Sequence, residues 1–161
     1  MELDKLRELY KKYNLTANDV YKHKHYVIIT RPGIDKIQAV EKINIHYDVE
    51  AVKPDFAAVK ATASMFTKPD SKGFVDKVTI QTFGSAKYGG KEFNEETRKY
   101  IEHGNSTTWY ILEMAEKRAM SRAVLKLTGF YELGVFGEDE AEDFKESRPN
   151  TTSSLKELIN K

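Results

Sequence analysis

Apolar positions recur at two spacings along the chain, and the switches between them predict the order of elements. Leu3, Leu6, Leu9 and Tyr10 share one face of a helix from Glu2 to about Tyr13. Thr16, with Asp19 three residues on, caps a short turn from Ala17 to Tyr21. Tyr26 to Thr30 (YVIIT) is a compact β-rich run that Pro32-Gly33 breaks, and Ile34 to Val40 has the spacing of a short helix. Three longer strands follow: Ile43 to Val52, Phe56 to Thr67 and Phe74 to Tyr88. Ile43, Ile45, Tyr47 and Val49 alternate with polar residues, which marks a sheet with one covered face. Val59, Ala61, Ala63 and Met65 repeat that pattern, as do Val78, Ile80 and Thr82 against Lys77, Thr79 and Gln81. Turns at Lys53-Pro54-Asp55 and from Lys68 to Gly73 separate the strands.

Helical spacing returns after Trp109. Ala115, Ala119 and Ala123 recur every four residues and let the helix backbone approach whatever lies beneath. Ile111, Leu112, Met120, Val124 and Leu127 widen this seam, Arg118, Arg122 and Lys126 form a second row, and Gly129 is the stop. The row has two readings: a solvated basic edge, or one wall of a groove for a polyanion. Lys87 to Lys91 and Glu92 to Ser106 form a polar connection without a predicted element. The pattern describes an α+β domain, an antiparallel β-meander of three to four strands packed against a long C-terminal helix, with an N-terminal helix. Residues 1–137 are read as the core domain and 138–161 as an acidic flexible tail ending in a short amphipathic peptide with Leu155, Leu158 and Ile159.

Composition changes this picture in three places. Cysteine is absent, which excludes disulfides, thiolate zinc sites and cysteine nucleophiles. With 26 basic and 25 acidic residues the net charge is +1, but residues 138–161 carry −3 and residues 1–137 carry +4. No apolar run is long enough for a membrane span and no leader pattern precedes the first helix, so a cytoplasmic protein without a membrane partner is expected.

Catalytic constellations are thin. His23 and His25 lack a third metal ligand, and Asp139, Glu140 and Asp143 have the chemistry of a magnesium-dependent nuclease but no framing strand. Lys99, His103 and Ser106 carry no triad logic, and Gly89-Gly90 lacks the residues of a phosphate-binding loop. The expectation is a protein that is not an enzyme and needs no cofactor or metal.

The order of elements, the segment YVIITRPGIDKIQ, the meander and the helix with Glu113, Ala115, Ala119, Arg122, Ala123 and Gly129 together resemble the single-strand annealing proteins of the Rad fifty-two type. That group includes related phage recombination proteins, and the resemblance covers roughly Tyr26 to Phe130. The segment from Arg122 to Gly129 keeps the family order with one residue more before the glycine. The resemblance implies a protein that coats single-stranded DNA and pairs complementary strands in recombination or repair, without ATP. It also implies a homo-oligomer, ring or filament, with the strand in a basic groove between sheet and helices.

Residues suited to that groove are Arg118, Arg122 and Lys126 on the helix, Arg31 beside the Pro-Gly turn, and Lys60, Lys77 and Lys87 on or near the meander. Lys68 and Lys72 lie in the hairpin loop, and Tyr88 and Phe83 are candidates to stack on bases. Core aromatics and solvated lysines are the competing reading. Glu138 to Glu146, with six acids and one lysine, reads as a solvated linker or as a polyanion mimic that competes for the groove. The terminal peptide from Leu155 to Lys161 is a candidate contact for a replication or recombination protein or for another protomer. Rival readings are a protective single-strand-binding module without annealing activity, a metal-dependent nuclease, and an inhibitor whose acidic tail mimics DNA.

Overall fold

The computed structural model describes residues 2–146. Helix α1 (Glu2–Lys12) lays Leu6, Leu9 and Tyr10 on the core. Tyr13 follows it, buried against Phe130 and donating its hydroxyl to Glu41 at 2.7 Å. Strands β1 (Val20–His23) and β2 (Tyr26–Ile29) form a hairpin whose turn is Lys24-His25, with Lys24 in the left-handed region. The segment from Ala17 thus makes only a turn before β1 begins.

Helix α2 (Arg31–Glu41) opens three residues before the apolar spacing predicts. Thr30 is its N-cap, accepting a hydrogen bond from the Gly33 amide, and Pro32 sits in the first turn, where no amide donor is needed. The Pro-Gly pair that reads as a break is therefore the helix start.

The meander consists of β3 (Asn44–Lys53), β4 (Phe56–Phe66) and β5 (Lys77–Lys87), antiparallel and in that order. Its covered face carries Ala57, Val59, Ala61 and Ala63 from β4 and Thr82, Gly84 and Ala86 from β5. Helix α3 (Ile111–Leu127) packs on that face through Ala115, Ala119 and Ala123, all fully buried. The approach is close enough that a Cβ on Gly84 would collide with the Ala115 carbonyl and the Ala119 amide nitrogen. Thr82 completes the seam by donating its hydroxyl to the Ala119 carbonyl at 2.7 Å.

Three features depart from the sequence reading. The polar connection after the meander is a second hairpin, β6 (Gly89–Asn94) with β7 (Lys99–Ser106). The YVIIT strand belongs to a separate sheet, in the order β1-β2-β8, where β8 (Val135–Gly137) runs parallel to β2. The meander proper therefore has three strands. The acidic segment, expected to be flexible from residue 138, turns back onto the domain as a 3-10 turn (Glu138–Glu140) and helix α4 (Glu142–Glu146). Glu138 and Asp139 are buried, because cations from three other parts of the chain meet them there. The peptide from Leu155 onward lies outside the described residues. Among the described residues no helix is long and apolar enough to cross a membrane.

Candidate nucleic-acid interface

The helical row of cations climbs out of the protein along α3. Arg118 is 3% exposed, Arg122 is half-buried and Lys126 is exposed. Arg118 donates from Nε to the Asp139 carbonyl (2.9 Å), from Nη1 to the Ser85 carbonyl (2.8 Å) and from Nη2 to the Asn105 carbonyl (2.7 Å). One guanidinium thus ties the return turn, β5 and β7 together. Burial lowers its pKa, and the carboxylates of Glu142 and Asp139 oppose that shift. The expectation that Arg118 faces a groove is corrected: its fork is consumed by three backbone acceptors, which leaves nothing for a phosphate.

Arg122 donates from Nη1 to the Phe83 carbonyl (2.7 Å) and from Nε to Glu140 (2.9 Å). Together with Arg118 it covers the outer edge of β5, whose carbonyls would otherwise be free to pair with another strand. Arg31 is oriented by Asp35 (3.2 Å), lies 4.0 Å from Asp139, and gives its backbone amide to Glu138 (2.7 Å). Arg31, Arg118 and Arg122 are therefore brought together, but around the acidic turn rather than around an empty groove. Lys126 stands apart, with its ammonium 5.1 Å above the Tyr131 ring.

The meander lysines gather elsewhere, on the face of the sheet opposite α3. Strand alternation puts the even positions of β4 and the odd positions of β5 on that side. Cross-strand register then makes three pairs of one phenylalanine and one lysine: Phe56 with Lys87, Lys60 with Phe83, and Phe66 with Lys77. The first and second pairs lie about 14 Å apart along the strands and the second and third about 20 Å apart. Phe83 is 55% exposed and Phe66 65%, far from the burial of core aromatics. Between the pairs lie Thr62, Ser64, Thr79, Gln81 and Ser85, all small or neutral polar groups. Lys60 is balanced by Asp48 (3.8 Å) and Glu50 (3.4 Å), whereas Lys77 and Lys87 have no ion-pair partner among the described residues. Phe56 and Phe66 escaped the sequence reading, yet they share the parity of Lys60 on β4, and that parity was the available signal.

Lys68 and Lys72 are exposed in the β4–β5 loop, beyond the Phe66–Lys77 end of this face. Asp70 shapes the loop by accepting hydrogen bonds from the Lys72 and Phe74 amides at 2.8 and 2.9 Å. That Asx-type turn takes Phe74 to Asp76 out of the expected strand, which begins at Lys77. At the opposite end Tyr88 is half-buried, and one ring face is stacked on Trp109 at 3.6 Å between centroids. Trp109, the only tryptophan, is 70% exposed.

The residues weighed for metal chemistry have other employment. Asp139 is paired with Lys145 at 3.0 Å and Glu140 with Arg122, and the second Glu140 oxygen accepts the Gly137 amide at 2.8 Å. His103 contacts Glu92 at 2.8 Å on the exposed second hairpin, and His23 borders the β1–β2 turn. Comparison of the chain with protein-family models, with curated proteins and with solved structures finds no match.

Proposed function

We propose that this is a single-stranded nucleic-acid-binding protein whose binding surface is the open face of the meander. The observation that carries this reading is the set of three phenylalanine–lysine pairs on one uncovered sheet face. Aromatic rings accept the faces of bases without regard to sequence, and ammonium groups beside them neutralise the phosphates that link those bases. The polar groups between the pairs leave the platform wettable and spare a free protein a large apolar patch.

More particularly, the reading is an annealing protein for complementary DNA strands, working as a homo-oligomer without ATP. A base stacked by its face keeps its pairing edge outward, so a strand held along the platform is displayed to its complement. Annealing then requires scaffolding alone: strands held extended lose less entropy on meeting, and no bond is made or broken.

The test is oligonucleotide affinity as a function of salt. Lys77→Ala with Lys87→Ala is expected to weaken binding and reduce the salt slope by about two. Phe83→Ala is expected to cost roughly 1 to 3 kcal/mol at any salt concentration. Unchanged affinity and slope in folded variants would remove the strand from this face.

A further inference from the structure

At one end of the platform the cross-sheet row reads Lys53, Phe56, Lys87, so that a phenylalanine is flanked on both sides by lysines. With Asp55 these residues line a cavity of about 270 Å³. The Tyr88 amide donates to the Asp55 carbonyl at 2.7 Å, which fixes the Lys53 to Phe56 turn against the end of β5. The Asp55 carboxylate makes no hydrogen bond or ion pair among the described residues, and neither lysine ammonium has an acidic partner there. An aromatic floor, two cations at the sides and one uncommitted acceptor is a different chemistry from the neutral polar stretch between the other pairs.

We infer that this cavity is a base-reading subsite for one nucleotide carrying an exocyclic amino group, with cytosine the probe of choice. The inference rests on the single-strand reading above and deepens it. Phe56 takes the base face, and Lys53 and Lys87 take the phosphates on either side. Asp55 accepts from the amino group, as carboxylates do from cytosine N4. Thymine offers a carbonyl oxygen at the corresponding position, which the carboxylate repels. Binding tolerant of sequence along the platform thus acquires one discriminating position at its end. A base held there has its pairing edge occupied, so it marks a boundary of the displayed strand.

The experiment measures affinities of the full chain for an oligo-dC and an oligo-dT of equal length, by anisotropy of an end label, for wild type and for Asp55→Ala. Wild type is expected to bind oligo-dC at least about fivefold more tightly, the low end of one carboxylate-to-base contact. In Asp55→Ala the ratio should fall to about one, whatever the common gain in affinity from removing a negative charge. The ratio is unaffected by that general electrostatic gain, and a side chain without partners in an exposed turn is removable without loss of fold. Equal wild-type affinities, or a preference that survives Asp55→Ala, would overturn the subsite while leaving the platform standing. Failure to bind either oligonucleotide would overturn the single-strand reading and the subsite together.

Discussion

Replacing Arg118 with alanine separates the two roles that the helical row suggests. The change removes a guanidinium that satisfies three carbonyls at 2.7 to 2.9 Å on β5, β7 and the return turn. Each carbonyl left without a partner in a buried site costs about 1 to 3 kcal/mol. Part is recovered, because a buried cation no longer needs desolvating and water enters the space of the lost stem. The net expectation is a loss of about 3 to 5 kcal/mol, as for other buried charge contacts broken from one side. In a chain of this size that lowers the melting temperature by roughly 10 °C. Arg118→Lys keeps the charge but not the fork, and should restore only a small part of the loss. Arg122→Ala, at a half-exposed position, should cost about 1 kcal/mol or less. Thermal unfolding followed by circular dichroism reads all three. An Arg118→Ala protein that melts like wild type but no longer binds oligonucleotide would refute the interior assignment and return Arg118 to the binding surface.

Two other perturbations probe the frame that carries the platform. Gly84→Ala forces a methyl group into the Ala115–Ala119 stretch of α3, and should destabilise the domain by about 1 to 3 kcal/mol in urea titration. Burial pushes the Glu41 carboxyl up, but hydrogen bonds from Lys12 and Tyr13 outweigh it and leave the pKa below its ordinary value. A carboxyl depressed in the folded state contributes stability that is present above its unfolded pKa and lost as pH falls through the folded one. Glu41→Gln should therefore flatten the acid limb of a stability–pH profile, and an unchanged limb would assign that stability to other carboxyls.

The meander and α3 were legible because each has one covered face. Alternation in β3 to β5 and the spacing of Ala115, Ala119 and Ala123 both record that burial directly. The β6–β7 hairpin was illegible for the converse reason. Lys91, Glu92, Phe93, Tyr100, Ile101, Glu102 and His103 are all exposed, so no face imposes a period. Strand β8 is three residues long and pairs with a strand more than a hundred residues earlier, which no local pattern encodes. The row of Arg118, Arg122 and Lys126 was correct as a row, but spacing along a helix says nothing of how deeply each end sits. Burial of the acidic turn was hidden in the same way: Arg31, Arg118, Arg122 and Lys145, which meet it, are dispersed along the sequence. On the platform the lysines were named from charge alone. Their pairing with Phe56, Phe66 and Phe83 required the register of β4 on β5.

The measurement that tests the central claim most directly is the rate of duplex formation between two complementary labelled oligonucleotides, with no nucleotide or metal added. Wild type is compared with a variant carrying Lys77→Ala, Phe83→Ala and Lys87→Ala. Faster annealing with the folded wild-type protein, lost in the platform variant while its melting temperature is retained, is the predicted result. No acceleration by the wild-type protein, or equal acceleration by the platform variant, would contradict it.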